Sequence, residues 1–182
     1  GGQRHLDLIS DACDRLGIES GCLGIKPICP GRRMAGRAYT VRYVPTGAVT
    51  GTVGDYIDEV QPGDIVVLDN NGRLDCTVWG DILTVTANLR GIAGTVIDGV
   101  CRDVPGIIEE NYPIFARGAY MMTGKDRVMV EATQVIVSVG GRQVKPNDIL
   151  VGDDSGVVVI PHERAEEVLK VALTIDKAEE AI

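Results

Sequence analysis

Several residue types that common functional sites require are scarce in this chain. It contains one tryptophan and one phenylalanine in 182 residues, so it lacks the row of aromatic side chains on which single-stranded bases stack. Its two histidines, His5 and His162, lie near opposite ends of the sequence, which argues against a nucleophile activated by histidine. Acid–base catalysis would therefore depend on carboxylates or on water bound to a metal ion.

The cysteine pattern argues against both a disulfide framework and a structural zinc site. The five cysteines are odd in number and include no C-x-x-C pair: Cys13, Cys22, Cys29, Cys76 and Cys101. We expect them to be buried thiols in a reducing cytoplasm.

Charge and hydropathy exclude further classes of function. The net charge is −8 and the basic residues are scattered, so the chain has no basic stripe for nucleic acid. No apolar run approaches the roughly 18 residues of a membrane span, and the N-terminus lacks the apolar core of a signal peptide. Neither G-x-G-x-x-G nor a Walker A sequence occurs, which gives nucleotide binding little support. We therefore expect a cytoplasmic protein that binds neither nucleic acid nor membranes.

The length and the hydrophobic fraction of 45% predict one domain over residues 1–182. Local patterns predict a first helix over Leu6–Leu16, strands at 38–44, 65–68, 128–139, 149–151 and 157–160, and a last helix from about Pro161 towards Ile182. Two similar turns precede strands, at 61–64 and 145–148. Many short strands without clean βαβ alternation predict a layered α/β domain rather than a doubly wound sheet.

The most informative segment runs from Gly80 to Asp103. Residues at helical spacing, followed by Gly91, predict a helix that begins near Asp81, and 95–100 is a β-rich run. About ten helical residues advance ~15 Å, and six strand residues return ~20 Å. The strand end with Arg102 and Asp103 should therefore lie beside the helix start. Free helical N–H groups, a guanidinium and two carboxylates would then suit a small anionic substrate and a metal ion.

Each acidic residue also has a purely structural explanation when it is taken alone. Asp81 stands where the helix dipole favours an acid, and Asp103 precedes Val104-Pro105 and could cap the next helix. Arg102 is harder to explain in this way, because the strand directs a cation at whatever covers its end. The pair Asp153-Asp154 is more typical of a turn before a strand than of a metal site. Glu179-Glu180 is typical of a solvated helix face and could also reach a neighbouring subunit.

The run from Gly80 to Arg117 resembles the RraA-like family, which includes the class II 4-hydroxy-4-methyl-2-oxoglutarate/4-carboxy-4-hydroxy-2-oxoadipate aldolases. The most specific element of the resemblance is D-x20-R-D, met by Asp81, Arg102 and Asp103 within WGDIL and DGVCRD. The likeness extends from about residue 5 to about residue 170. The RNase E regulators of the family often lack the complete set of acids. This chain retains the complete set, which favours the enzyme branch of the family.

The resemblance implies a three-layer β/β/α sandwich of the phosphohistidine-swivelling type, in trimers or hexamers with active sites between subunits. It also implies a divalent metal, Mg²⁺ or Mn²⁺, held by Asp103 together with waters and substrate. Arg102 matches the arginine that binds pyruvate, and the main-chain amides of Gly80, Asp81, Ile82 and Leu83 match the loop that holds its carboxylate. Asp81 matches an acid that acts through a water on the metal. Glu179 or Glu180 is the candidate for an acid that the adjacent subunit supplies.

These roles imply cleavage of a 4-hydroxy-2-oxo acid to pyruvate and a second carbonyl compound. Cleavage beside a 2-oxo group produces an enolate, which the metal and Arg102 would stabilise. No lysine lies within the motif to form a Schiff base. Oxaloacetate decarboxylation passes through the same enolate and is an expected companion activity. Two alternatives stay open: a non-catalytic regulator whose acidic surface binds a ribonuclease, and an enzyme of the same scaffold that acts on a different 2-oxo acid.

Overall fold

The computed structural model describes residues 5–181 and contains four α-helices and ten strands in that range. The helices are α1 (His5–Arg15), α2 (Asp81–Leu89), α3 (Val104–Glu109) and α4 (Ala165–Glu180). The strands are β1 (Lys26–Pro27), β2 (Met34–Pro45), β3 (Ile65–Asp69), β4 (Gly94–Cys101), β5 (Ile114–Ala119), β6 (Val128–Thr133), β7 (Val137–Val139), β8 (Arg142–Val144), β9 (Ile149–Asp153) and β10 (Gly156–Ile160).

The main sheet has the order β1-β5-β4-β3-β2-β9-β10, and β6 pairs with β2. Strands β2, β3, β4 and β5 run parallel, and α2 and α3 connect the last three of them. The expectation that the chain lacks βαβ alternation is therefore wrong for residues 65–119. The second helix of this unit has only six residues and includes Pro105 and Gly106, so it shows no helical period in the sequence.

Three layers follow from the alternation of side chains along the buried central strands. Val66 and Leu68 of β3 belong to an apolar core that also contains Ala87 of α2 and Ile107 of α3. The alternate residues of β3 pack in a second core, which contains side chains of β7, β8, β9 and β10. Helices α2 and α3 thus cover one face of the central strands, and the separate hairpin β7-β8 packs on the other face together with β9 and β10 from the end of the same sheet. The layered α/β fold predicted from the sequence is confirmed.

A third core attaches the end helices to the sheet. Ala12 and Cys13 of α1 pack with Val168 and Ala172 of α4 over the end of β10. The last helix begins later than predicted, because a short 3₁₀ turn, His162–Arg164, precedes it. It ends at Glu180, and Ile182 lies outside the described residues.

The long strand predicted over 128–139 is divided into β6 and β7. Gln134, which lies between them, has φ +55°, a left-handed conformation that interrupts an extended chain. Its side-chain oxygen accepts the amide of Thr40, so the break is tied to β2. The two similar turns are confirmed: Oδ2 of Asp64 accepts the amide of Gln61, and Oδ2 of Asp148 accepts that of Lys145.

The five cysteines are free and buried, as the sequence predicted. Burial raises the pKa of Cys22 and of Cys101 to about 12, because a thiolate loses its hydration in the core. Both thiols are therefore neutral at physiological pH. Along the described part of the chain, no helix combines the length and the apolar character needed to cross a bilayer.

Candidate active site

The site begins at the corner where the chain enters α2. Gly80 is the N-cap residue, and no side chain caps the helix there. The amide of Asp81 instead donates to Oδ2 of Asp103, 3.1 Å away, across the gap between the helix start and the end of β4. A Cβ atom on Gly80 would lie 2.7 Å from that same oxygen. A side chain at this position would therefore displace the Asp103 carboxylate.

The other half of the corner follows the last residue of β4. The amide of Arg102 donates to the carbonyl oxygen of Trp79 at 3.0 Å, which ties the strand end to the segment before α2. Asp103 has φ +62° and ψ +41°, a left-handed conformation that aspartate tolerates better than most residues. It occupies the N-cap position of α3, yet its carboxylate makes no capping hydrogen bond with that helix. The carboxylate is directed towards α2 instead.

A surface cavity of about 180 Å³ lies over this corner. The guanidinium and the carboxylate at its rim are close to each other, with Nε of Arg102 3.9 Å from Oδ2 of Asp103. Their side chains are 43% and 39% exposed, so both groups are accessible to a ligand. The lining residues are Val53, Thr77, Val78, Trp79, Gly80, Asp81, Ile82, Leu83, Arg102, Asp103, Thr123 and Lys125.

All six residues named from the sequence lie at this cavity. Asp81 is exposed in the first turn of α2, and Ile82 is 80% exposed on the outer face of that helix. Leu83 is partly buried and packs against the apolar core and against Gly54. The structure therefore brings the helix start and the strand end together as the spacing predicted.

The structure adds residues that the sequence analysis did not identify. Thr77, Thr123 and Lys125 form another wall of the cavity. They belong to one local arrangement, because Thr77 and Thr123 form a parallel bridge and the amide of Lys125 donates to Oγ1 of Thr123 at 3.2 Å. No spacing rule connects residue 125 with residue 81. Only a contact between two loops brings this lysine to the site.

The donor atoms at the corner suit a hard divalent cation. Oδ2 of Asp103 accepts one amide, while Oδ1 accepts no hydrogen bond from any described residue. One carboxylate oxygen in an open cavity matches the preference of Mg²⁺ for few protein ligands and several waters. Since Asp81 and Asp103 are the acids here, this corner offers fewer protein ligands than a closed cage would.

A group of three residues that could also hold a metal lies elsewhere: Asp148, His162 and Glu163. None of them lines the cavity. The ammonium group of Lys145 lies 3.1 Å from Oδ1 of Asp148 and 3.5 Å from Oε1 of Glu163. A lysine cation thus already compensates these carboxylates. We interpret this group as a structural ion-pair cluster that holds the start of α4.

The other acidic pairs have roles outside the cavity. Oδ1 of Asp153 accepts the amide of Ser155, a local bond that agrees with the turn interpretation. Oδ1 of Asp154 instead accepts the amide of Gly31 from a segment distant in sequence. Glu179 and Glu180 lie in the last turn of α4 and do not line the cavity of their own chain.

Comparison with known proteins identifies the scaffold. The family model RraA-like, described as Aldolase/RraA, matches residues 7–159. Protein DlpA of Legionella pneumophila is 46% identical over 177 residues, which are 96% of this chain and 29% of DlpA. A Halalkalibacterium halodurans protein named "Putative 4-hydroxy-4-methyl-2-oxoglutarate aldolase" is 37% identical over 166 residues, 90% of this chain and 76% of its own.

A solved structure agrees with this relationship. Streptomyces coelicolor RraAS2, described as an unusual member of the RNase ES inhibitor RraA protein family, superposes with a TM-score of 0.88 at 31% identity. The alignment covers 96% of this chain and 88% of RraAS2. The family match over most of the chain agrees with the identity to these relatives and with the shared fold, and this chain belongs to the RraA-like family.

Proposed function

We propose that this chain is a divalent-metal-dependent lyase that cleaves a 4-hydroxy-2-oxo acid, such as 4-hydroxy-4-methyl-2-oxoglutarate, to pyruvate and a second carbonyl compound. The observation that carries the proposal is the convergence of Asp81, Arg102 and Asp103 on one cavity at the start of α2. The name of the H. halodurans relative supports the same reaction class.

The start of α2 would bind the substrate carboxylate. The first intrahelical hydrogen bond runs from the amide of Thr84 to the carbonyl oxygen of Gly80, so the three preceding amides have no acceptor within the helix. Asp103 accepts the amide of Asp81. The amides of Ile82 and Leu83 are left for an anion, and the helix dipole favours negative charge at that position.

Arg102 and Asp103 would act on the 2-oxo end of the substrate. A divalent cation held by Asp103 would supply positive charge beside the 2-oxo oxygen and the substrate carboxylate. The guanidinium of Arg102 carries a permanent charge and a planar set of donors, which suit an enolate oxygen or a carboxylate. As the substrate bond breaks, negative charge develops on the substrate. Both cations therefore interact more strongly with the transition state than with the bound substrate, and this difference lowers the activation barrier.

Asp81 would be the base. It would take the proton of the C4 hydroxyl while the C3–C4 bond breaks, C4 becomes the new carbonyl carbon and the bonding electrons pass into the enolate of pyruvate. This proton would then pass from Asp81 to C3 of the enolate, which releases pyruvate and restores the base. The same enolate forms when oxaloacetate loses CO₂, so we propose oxaloacetate decarboxylation as a second activity of this site.

Lys125 places a second cation on the wall of the cavity. It is exposed, whereas lysines that form Schiff bases are activated by desolvation in an apolar pocket or by a second cation. We therefore assign it an electrostatic role: it would attract a substrate with a second carboxylate. A substrate of this kind agrees with the name of the H. halodurans relative.

Exposed apolar side chains on α2, on α3 and after β5 support association with other copies of the chain, which the proposed homotrimer or homohexamer requires. On α2, Ile82 and Leu89 are 80% and 83% exposed, and Ile108 of α3 and Met121 after β5 are also well exposed. Several exposed apolar side chains on neighbouring elements favour burial by another protein surface. We propose that a second copy of the chain covers them and completes the site.

Pyruvate release tests the proposed function directly. Purified protein should release pyruvate from 4-hydroxy-4-methyl-2-oxoglutarate and from oxaloacetate with Mg²⁺ or Mn²⁺, and EDTA should stop both reactions. A folded, metal-loaded protein that releases pyruvate from neither compound contradicts the proposal.

The alternative function is that of a regulator that binds a ribonuclease. Two observations favour it: the similarity to RraAS2 and the net charge of −8 on this chain. An acidic surface would recognise a basic partner. Retention of ribonuclease by the immobilised chain, together with no pyruvate release in the aldolase assay, would decide for this function.

A further inference from the structure

A buried chain of hydrogen bonds lies directly beneath the corner of the site. The indole Nε1 of Trp79 donates to Oγ1 of Thr84 at 2.8 Å, and that hydroxyl donates to the carbonyl oxygen of Gly80, also at 2.8 Å. Trp79 is 2% exposed and Thr84 is fully buried. These two side chains face the protein interior, below the groups assigned above to substrate and metal.

The chemistry of the groups fixes the direction of this chain. An indole N–H can only donate, so the threonine oxygen must accept from it. Since the Thr84 oxygen accepts from the indole, its single hydroxyl proton is free to be donated to the carbonyl oxygen of Gly80. The carbonyl of Gly80 thus receives two hydrogen bonds, one from this hydroxyl and one from the amide of Thr84 at 3.1 Å.

The peptide bond between Gly80 and Asp81 transmits this arrangement to Asp103. Because a peptide unit is planar and trans, its C=O and N–H point in opposite directions. The buried chain holds the carbonyl in the interior, so the amide of Asp81 must point to the other side, where Oδ2 of Asp103 accepts it. One rigid plane is therefore held at one end by Thr84 and at the other by Asp103.

Trp79 is itself held in place by two further contacts. Its ring stacks on that of Tyr112, with centroids 5.9 Å apart and an interplanar angle of 11°. The hydroxyl groups of Tyr112 and Thr95 lie 3.0 Å apart within hydrogen-bonding distance. The main-chain carbonyl oxygen of Trp79 also accepts a hydrogen bond from the amide of Arg102. Trp79 therefore connects the helix start and the strand end.

We infer that Trp79 and Thr84 are positioning residues, which orient the Gly80–Asp81 peptide and thereby hold the Asp103 carboxylate in the direction that binds the divalent cation. The inference rests on the proposed function, since it assigns the cation to Asp103. Outer groups that orient a metal ligand change metal affinity by about 10- to 100-fold when they are removed.

Mn²⁺ affinity, measured by electron paramagnetic resonance without substrate, tests this inference. Thr84→Val keeps the side-chain shape and removes the hydroxyl, and we expect Mn²⁺ binding about tenfold weaker or more. Thr84→Ser restores the hydroxyl and should bind Mn²⁺ nearly as the wild type does. The matched control is Thr174→Val in α4, because Oγ1 of Thr174 donates to the carbonyl oxygen of Lys170 at 3.0 Å, the same kind of bond within a helix, and neither residue lines the cavity. Its affinity should not change.

Trp79→Phe keeps the ring stack and removes the N–H group, so it tests the inference if Thr84→Val does not fold. Trp79 is the only tryptophan in the sequence, so its fluorescence reports folding and indole hydrogen bonding in the Thr84 variants. Folded Thr84→Val and Trp79→Phe proteins with wild-type Mn²⁺ affinity would overturn the inference and leave the proposed function intact. A wild-type protein that binds no Mn²⁺ would overturn the metal assignment together with the inference.

Discussion

The amide nitrogen of Asp81 lies 3.1 Å from Oδ2 of Asp103, so the first residue of α2 and the residue that follows Arg102 are joined by a direct hydrogen bond. The two acids are 22 positions apart in the sequence. Their contact brings a helix N-terminus, a guanidinium and two carboxylates into one cavity.

Asp103→Asn should abolish most metal-dependent pyruvate release. The asparagine oxygen can still accept the amide of Asp81, and asparagine tolerates the left-handed backbone at this position, so the corner should keep its shape while the charge is lost. A charge contribution of several kcal/mol to the transition state corresponds to a loss on the order of 100-fold or more in kcat. Initial rates at saturating Mg²⁺ measure it.

Asp103→Ala serves as a companion variant. It should be equally inactive and also less stable, because alanine in the left-handed region costs about 1–2 kcal/mol. Thermal unfolding separates the two effects. Full activity of Asp103→Asn would contradict the proposal that the Asp103 carboxylate binds the metal ion.

Arg102→Lys should reduce kcat/KM by about 30-fold. Lysine keeps the charge but cannot present the planar fork of donors, and a loss of about 2 kcal/mol is typical of a charged hydrogen-bonded pair. Arg37→Lys is a suitable control because Arg37 is exposed on β2, away from the cavity. The role given to Arg102 would be contradicted by a kcat/KM near that of the wild type.

Gly80→Ala should lower activity through a steric effect. Gly80 has φ −149°, an extended conformation that alanine adopts without strain, but the new methyl group would lie 2.7 Å from Oδ2 of Asp103. The carboxylate must move, and the cation site with it. Gly47→Ala is the matched control, since a Cβ there meets nothing within 4 Å. Mn²⁺ affinity and kcat are measured for both variants. Equal values in the two proteins would refute the expected displacement of the Asp103 carboxylate.

Borohydride reduction in the presence of pyruvate should not inactivate the protein, because the exposed Lys125 is assigned an electrostatic role rather than a covalent one. Lys125→Ala should instead raise KM for a dicarboxylate substrate and leave kcat less affected. Mass spectrometry after reduction provides the measurement. A covalent pyruvyl adduct on Lys125 would replace the metal-dependent mechanism with a Schiff-base mechanism.

Leu89→Glu should dissociate the assembly. Leu89 is 83% exposed on α2, and a charge buried between two copies would be strongly unfavourable. Leu23→Glu is the matched control, because Leu23 is 84% exposed in the segment before β1, away from α2. Sedimentation velocity should show a trimer or hexamer for the wild type and for Leu23→Glu, and smaller species for Leu89→Glu. A wild-type monomer would contradict the proposed assembly.

Much of the site could be predicted because its elements are local. The start of α2 follows from the helical spacing and from Gly91, and β4 follows from a run of β-rich residues. Since a helix and the parallel strand after it return the chain to nearly the same level, the contact between Asp81 and Asp103 was predictable from their spacing. The βαβ character of residues 65–119 was not, because α3 is too short to show a period.

The sequence by itself determined the layered α/β class, the buried thiols and the helix–strand corner, because each of these depends on local periodicity, composition or a short return of the chain. Only the tertiary structure decided which carboxylate oxygen stays free, that Lys125 joins the cavity, and that the buried side chains of Trp79 and Thr84 are hydrogen-bonded behind Gly80. These features depend on contacts between segments that are distant in sequence and on the direction of individual hydrogen bonds. Neither leaves a periodic signal in the order of residues.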